Sequence, residues 1–459
     1  MNKNASSAGK LVNTGNGQNF NIIDIGHKDY FAAIEPDLAF WSLIPKEHSE
    51  LIFDKDYLQK TISLHGSDMK DEMDTLRFRL KPSCVYFNPT ELCNLNCPYC
   101  YIPEKIRKDG ENMSFEKMEE AMKKLKKYFS KSLPDSRKPD LIFHGSEPLV
   151  NKINVFKIIE KYKNDFNFGI QTNGTLLDDD DIEFIKYHNV VIGISLDAHK
   201  KEIADLSRYN WDGETIFDKV IKVLEAFKGY NKFSVITTVT NHNVSELSSI
   251  IDFLHAHHVE NCLLNQVRCT LPGAGKIKPD DSVMAEQFIK AIDRSHELFI
   301  ETGRKIVIVN FANIVLSIIA PSARKLMCDI SPCGGGRSFF AVSAEGGMFP
   351  CSEFIGLPKF NGGNLFEDEI ESVLNSDSFK LVTERKVEDI DPCNKCAIRH
   401  FCGSPCPAEA HELHGSMQEP GAFCEFYEQQ VRYAFRLIAD KKENDFLWEN
   451  WDYETVSMF

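Results

Sequence analysis

Several classes of protein are excluded by what this chain lacks. No apolar run reaches the roughly 18 residues needed to cross a bilayer. The longest, 306–320, is interrupted by Asn310, Asn313 and Ser317 and is expected to be a buried strand and helix. The first twenty residues are rich in Asn, Gly and Ser and carry no apolar core of a secretion signal, so they are expected to be disordered and the protein cytoplasmic. Positive charge is also scarce: 53 Lys and Arg against 68 Asp and Glu leave a net charge of −15. That argues against nucleic acid or an anionic membrane as partner, because both need clustered cations. The one basic run, 123–127, reads as the solvated face of a helix.

Cysteine, by contrast, is abundant, with 14 in the chain. In a reducing cytosol they point to metal or cluster binding rather than disulfides. Three of them, Cys93, Cys97 and Cys100, stand at Cys-x3-Cys-x2-Cys in the stretch ELCNLNCPYCY. A zinc site normally takes four ligands in paired knuckles, and neither a His nor a fourth Cys follows nearby. A redox pair would use Cys97 and Cys100 and leave Cys93 unexplained. Three thiolates on a 4Fe-4S cube leave one iron open to bind a small molecule.

Around this stretch strand and helix patterns alternate. Short β-rich runs fall at 85–87, 141–144, 168–172, 190–195, 234–239 and 262–264, separated by helical patterns at 115–129, 153–162, 182–187, 216–227 and 247–254. Ser114 can N-cap the first of these, whose Phe115, Met118, Met122, Leu125 and Phe129 share one face. Such alternation predicts a parallel sheet with right-handed crossovers and chemistry at the C-terminal strand ends.

The cysteine loop resembles that of the radical S-adenosylmethionine (radical SAM) enzymes, with Tyr99 between the last two cysteines and Tyr101 after them. The resemblance implies a partial (β/α)6 TIM barrel in which Cys93, Cys97 and Cys100 carry the catalytic cluster. SAM would chelate the open iron and be cleaved to a 5′-deoxyadenosyl radical that abstracts a substrate hydrogen. Further motifs sit at strand ends. His144-Gly145-Ser146-Glu147-Pro148 resembles the family's Gly-Gly-Glu-Pro, and the resemblance has Glu147 accept from the SAM ammonium. Thr172-Asn173-Gly174 resembles its Thr-Asn-Gly turn. Ser195 and Asp197 end the fourth strand, with Ser195 facing the SAM ribose or methionine end, and Arg208 matches the family's Arg, a guanidinium fork suited to the SAM carboxylate.

The remaining cysteines resemble the SPASM extension of radical SAM maturases: Cys333 and Cys351, then Cys393-x2-Cys396-x5-Cys402-x3-Cys406, then Cys424, with Cys328 upstream as an eighth. The resemblance implies two auxiliary clusters, one on Cys328, Cys333, Cys351 and Cys406 and one on Cys393, Cys396, Cys402 and Cys424, making three 4Fe-4S clusters in all. Cys84, Cys262 and Cys269 are expected to be buried structural thiols. The expected organisation is thus a disordered 1–20, a small N-terminal domain over 21–80 that grips a leader peptide or caps the barrel, a barrel over 81–318, a SPASM domain over 319–440 and a tail over 441–459.

Family membership implies a peptide or protein substrate. The leading expectation is a maturase that forms a thioether in a ribosomally made, Cys-containing precursor peptide with a leader, served by a flavodoxin- or ferredoxin-type reductant. Carbon–carbon cross-linking and formylglycine formation in a sulfatase compete with it, and a non-catalytic electron-transfer protein or an enzyme of small metabolites are more distant readings. Sulfatase-maturing relatives carry a catalytic Asp directly after the cysteine that aligns with Cys351. Here Ser352 stands there, followed by Glu353, which is the candidate base.

Overall fold

The computed structural model describes residues 10–13, 19–48 and 55–452. The N-terminal unit is a four-stranded antiparallel sheet in chain order, β1 (Lys10–Asn13), β2 (Asn19–Ile23), β3 (Tyr30–Glu35) and β4 (Phe40–Pro45). Phe20, Ile22, Ala33, Phe40 and Ile44 pack with Ile62 of the helix Lys55–Asp74. Of the stretch 1–20 expected to be disordered, 1–9 and 14–18 lie outside the described residues, while in the rest Lys10 pairs with Ile22 and Asn13 with Asn19. Composition registers only local preference, and strand pairing overrides it.

Six parallel strands follow, adjacent in chain order: β5 (Cys84–Phe87), β6 (Asp140–Phe143), β7 (Asn167–Thr172), β8 (Val191–Ser195), β9 (Phe233–Val239) and β10 (Asn261–Gln266). β6, β7, β8 and β10 bury consecutive residues on both faces, as a helix-covered parallel sheet requires, whereas in β5 and β9 alternate residues, among them Tyr86, Ile236 and Thr238, are half-buried against the cavity. The first crossover helix, Phe115–Ser132, starts where Ser114 accepts from Lys117 N at 3.2 Å and buries Met118, Met122, Leu125 and Phe129. This is the α/β partial barrel of the sequence reading.

The sheet does not stop at six strands. β11 (Val307–Ile308) extends it beyond β10, and on the other edge β12 (Phe339–Val342) pairs parallel to β5, followed by antiparallel β13 (Gly347–Phe349) and β14 (Gly363–Asn364). The C-terminal cysteines therefore hang from the same sheet as the barrel. The N-terminal unit is docked on this body: Trp41 Nε1 donates to Ile318 O (2.8 Å), Arg436 Nη1 to Ile25 O (2.9 Å), and Asp37 pairs with Arg399. The segment 446–448 docks too, with Phe446 and Leu447 buried and Trp448 Nε1 donating to Asn261 Oδ1 (2.7 Å) at the foot of β10. Among the described residues no helix is long and apolar enough to cross a membrane.

Candidate active site

A cavity of about 370 Å³ opens at the C-terminal strand ends, between the barrel and the C-terminal domain. The loop after β5 brings Cys93, Cys97 and Cys100 to it. Arg107, buried, holds that loop by donating from Nε to Ile102 O and from Nη1 to Leu95 O, both 3.0 Å. Trp211 Nε1 adds a bond to Cys93 O (2.8 Å), and Asn96 N donates to Tyr209 O (2.9 Å), tying the loop to the turn that carries Arg208. Burial pushes all three thiols up, Cys97 to about 11, while Arg208 and Arg107 pull it back. Thiols whose ionised forms are disfavoured by burial and by one another need a cationic partner to become thiolates. An iron–sulfur cluster is such a partner, and the soft donor set fits it.

Beside the loop stands a wall of groups that satisfy one another. Glu147, buried at the end of β6, accepts from Leu149 N (3.0 Å), Thr172 Oγ1 (2.7 Å) and Asn173 N (2.8 Å). A carboxylate offers about four lone-pair sites, so one stays open. Burial raises the Glu147 carboxyl, and these donors with Arg208 pull it down. Asn173 Nδ2 donates to Asn94 Oδ1 (2.9 Å), joining β7 to the cysteine loop. Gly145 holds φ +107°, and a Cβ there would meet Asn88 at 2.3 Å, which explains the glycine.

Tyr99, Tyr101, Gly145, Ser146, Glu147, Thr172, Asn173, Ser195 and Arg208 all line the cavity. Asp197, the remaining residue of the expected cofactor set, is not among the lining residues, and its carboxylate accepts from Tyr99 Oη (2.5 Å), Arg208 Nε (2.9 Å) and Thr238 N (2.9 Å). It acts from behind the wall by fixing the guanidinium and the phenol.

The other flank is unlike this. Among the described residues, Tyr101 Oη, His144 Nδ1, Arg268 Nη1, Ser352 Oγ and Glu353 Oε2 are all buried without a hydrogen-bond partner. Burial lifts the Glu353 carboxyl to about 7, with Arg268 opposing and Glu409 reinforcing the rise. Burial lowers His144 to about 4, so its ring is neutral, stacked on Tyr101 at 6.5 Å. Cys328 and Cys351 also line this flank.

Behind it the remaining cysteines fall into two electrostatic neighbourhoods, although among the described residues no three His, Cys, Asp or Glu side chains converge as a metal site. Cys351 lies within electrostatic reach of Cys328 and Cys333, and Cys406 packs with Cys333 and Cys351 in one cluster. Cys402 is surrounded by Cys393, Cys396 and Cys424. Between Cys402 and Cys406 the chain takes three left-handed residues, Gly403 (φ +68°), Ser404 (+48°) and Cys406 itself (+55°), which turn Cys406 away from its sequence neighbours. Arg385 stands between the groups: it donates to Met417 O (2.5 Å), Ser404 O (2.9 Å) and Glu419 O (3.0 Å), and its charge reaches Cys333, Cys393, Cys402 and Cys406. Cys424 opens the helix Cys424–Ala439, whose first amides, Glu425 N and Phe426 N, donate to Asp281 of the barrel at 3.0 Å each.

Sequence reasoning missed Arg107, Arg268, Arg385 and the role of His144. Arg268 had a signal, because it lies just past the end of β10, where barrel chemistry collects. Arg107 and Arg385 had none, since Arg107 bonds carbonyls of an irregular loop and Arg385 bonds carbonyls remote in sequence.

Comparison with known proteins agrees with this architecture. The Radical SAM superfamily matches residues 87–254, and the SPASM iron-sulfur cluster-binding domain matches 333–397. An uncharacterized protein of Archaeoglobus fulgidus is 40% identical over 91% of this chain and 94% of its own. A cysteine-type anaerobic sulfatase-maturating enzyme of Clostridium perfringens is 24% identical over 75% of this chain and 94% of its own. The solved structure of Streptococcus suis SuiB bound to precursor peptide SuiA shares the fold, with a TM-score of 0.57 at 11% identity over 87% of this chain and 98% of that one. Cysteine loop, strand-end motifs and C-terminal cysteine groups thus converge: the chain is a radical SAM enzyme with a SPASM domain, built to bind iron–sulfur clusters and SAM.

Proposed function

We propose that this enzyme oxidises a side chain of a ribosomally made, Cys-containing precursor peptide, joining the cysteine sulfur to a carbon of another residue. The observation that carries the reading is the arrangement of the cavity: a SAM-type wall on one flank, and a buried carboxylate with auxiliary cysteines on the other. In this proposal Cys93, Cys97 and Cys100 hold the SAM-binding cluster, and the two C-terminal cysteine groups hold two auxiliary clusters, making three. Glu147 keeps its open lone pair for the SAM ammonium. Arg208, fixed by Asp197 and stacked 5.5 Å from the Tyr99 ring, presents its remaining N–H groups to the SAM carboxylate. Ser195 and Asn173 flank the same ligand.

Bound SAM supplies the oxidising radical that removes one hydrogen atom from the substrate. Closing the carbon–sulfur bond then releases one proton and one electron. Glu353, with its unpartnered Oε2 at the cavity, takes the thiol proton, and a cluster held by Cys328, Cys333, Cys351 and Cys406 would supply the acceptor for the electron. Grouping of Cys328 with Cys333 and Cys351 supports a closed, electron-accepting site over one that binds substrate sulfur directly. A flavodoxin- or ferredoxin-type reductant would recharge the SAM-binding cluster. The docking of the N-terminal unit on Ile318, Arg399 and Arg436 supports its role as a cap.

Formylglycine formation in a sulfatase is the second reading, favoured by the sulfatase-maturating relative. The missing Asp after Cys351 weighs less than the sequence alone suggested, since the turn Ser352–Phe354 delivers the Glu353 carboxylate to the cavity. Coverage does not decide between the two readings: the fold of anSMEcpe with bound AdoMet matches 82% of this chain at a TM-score of 0.70, and that of peptide-bound SuiB 87% at 0.57.

The deciding experiment is anaerobic reconstitution with SAM, reductant and two substrates, a Cys-containing precursor peptide encoded near this gene and a sulfatase-derived peptide. Mass spectrometry on the precursor should show loss of two hydrogens with a cysteine that no longer alkylates. An aldehyde formed only on the sulfatase peptide would establish the second reading instead.

A further inference from the structure

Tyr101 and His144 have no part in the proposed chemistry, yet both stand at its centre. His144 follows β6 directly: its backbone N–H donates to Phe87 O (3.0 Å), and the next residue, Gly145, has no room for a Cβ. Its ring meets Tyr86 at 5.3 Å in a T-shaped pair and lies nearly parallel to Tyr101 at 6.5 Å, and Tyr86 in turn meets Phe339 at 5.4 Å. All four rings line the cavity. They form an aromatic wall, and sulfur makes favourable contacts with aromatic rings.

Two atoms break this apolar wall. Among the described residues Tyr101 Oη and His144 Nδ1 are buried and have no hydrogen-bond partner, a costly state that an acceptor placed beside them would end. The phenol brings an O–H and the neutral ring brings one N–H. Packing sets the turn that carries Glu353 against the same corner. Tyr86 belongs with Cys351, Phe354 and Ile355 to one apolar cluster. Gly356, at φ +94°, brings the chain after Glu353 so near the segment after Tyr101 that a Cβ on it would lie 3.7 Å from Ile106 Cδ1 and 4.0 Å from Pro103 Cδ. The turn is thus anchored on one side by the ring that flanks His144 and on the other by the segment that follows Tyr101.

We infer that this corner seats the reacting cysteine of the substrate: Tyr101 O–H and His144 Nδ1–H donate to its sulfur, and the aromatic wall encloses it. The ring proton is on this account assigned to Nδ1. Both features of the corner select the same occupant, since the rings favour a soft, polarisable atom and the two donors favour an acceptor. A sulfur held there lies beside the turn that carries Glu353. The inference rests on the proposed function in needing a substrate that carries cysteine, and it gives Tyr101 to the peptide rather than to SAM.

The test is a double-mutant cycle on affinity. Binding to the reconstituted, SAM-loaded holoenzyme is measured by anaerobic calorimetry for the Cys-containing precursor peptide and its Cys→Ala form, on wild type, Tyr101→Phe, His144→Phe and His144→Asn. Tyr101→Phe and His144→Phe keep an aromatic ring and should each weaken the Cys peptide roughly tenfold, the upper range for one hydrogen bond, while the Cys→Ala peptide binds all four proteins alike. His144→Asn, whose carboxamide nitrogen falls where Nδ1 does, should recover most of the loss. Equal losses for the two peptides would overturn the inference and give the pair to packing or to the peptide main chain. No loss for either peptide would overturn it too, as would a loss that His144→Asn fails to recover. Each loss is read against the Cys→Ala peptide on the same protein, so a variant with incomplete clusters still reports. An aldehyde formed only on the sulfatase-derived peptide would end the thioether reading, and the same cycle on that peptide and its Cys→Ala form would then decide the inference by itself. A wild type that binds neither peptide ends both.

Discussion

On one flank of the cavity Glu147, Thr172, Asn173, Asp197, Arg208 and Tyr99 satisfy one another through bonds of 2.5 to 2.9 Å. On the other, among the described residues, Tyr101, His144, Arg268, Asp329, Ser352 and Glu353 each bury a polar atom that has no hydrogen-bond partner. Buried polar groups in folded proteins are nearly all hydrogen-bonded, so six orphans around one space call for a reason. Under the proposed function SAM, whose amino, carboxylate and ribose groups do not vary, would meet the prearranged network, and the peptide would supply partners for the orphaned groups. The contrast also separates two ways a side chain can matter, through the network it completes or through the vacancy it keeps.

The largest effect is expected where the satisfied flank is broken. Glu147→Ala leaves Leu149 N, the Thr172 hydroxyl and Asn173 N buried without an acceptor, each at a cost of about 1–3 kcal/mol. SAM binding and reductive SAM cleavage, read as 5′-deoxyadenosine by chromatography, should fall by about 10²-fold or more. Arg107 should remain bound to the loop carbonyls, so EPR should still show the SAM-type cluster. Loss of that cluster as well would mean that Glu147 is structural first.

Breaking the orphan flank should act differently. Glu353→Gln keeps the shape and removes the proton acceptor. Product formation should drop by about 10²–10⁴-fold, the range of general acid–base catalysis, while SAM cleavage in the absence of peptide continues. Parallel loss of both activities would erase the distinction between the flanks.

How visible the two flanks are in sequence follows from the range of the interactions that build them. Cys93, Cys97 and Cys100 and the strand-end motifs are legible because their spacing is local: one loop and four strand ends hold them. β5 to β10 are legible by the same logic, as short apolar runs between amphipathic helices. β1 is not, since its four residues become a strand only by pairing across 14–18. Cys406 joins Cys333 and Cys351 through three left-handed residues of which one alone is glycine. Glu353 sits one place beyond the expected acid and reaches the cavity on a helical turn that no period announces. Arg268 and Arg385 are single arginines whose meaning comes from chains folded around them.

The barrel also prearranges the second auxiliary group from a distance. Asp281 accepts from Glu425 N and Phe426 N and so caps the helix whose first residue is Cys424. Asp281→Ala should cost about 1 kcal/mol, the usual worth of an N-cap, and it should show as slower iron loading of one auxiliary site and a lower melting temperature. Cys393, Cys396 and Cys402 remain in place, so partial loading is expected, and unchanged loading would show that Cys424 is held without its cap.

The smallest effect tests whether burial by itself makes a carboxylate functional. Glu35, on β3, is pushed up to about 7 by burial, as Glu353 is, with the Leu38 N–H (2.8 Å) opposing the rise. It belongs to the docked N-terminal unit and does not line the cavity. A carboxyl raised in the folded state binds its proton more tightly there than in the unfolded chain. Its contribution is therefore fully present below about 4.5 and is lost as pH rises through about 7. Glu35→Gln cannot ionise and still accepts from Leu38, so its melting temperature should not share the wild-type decline across that window. At pH 8 the variant should melt higher, by an amount on the order of 2–4 °C, with turnover unchanged. If Glu35→Gln lost activity as Glu353→Gln does, burial would be enough to implicate a carboxylate, and the orphaned oxygen at the cavity would cease to mark the flank that meets the substrate.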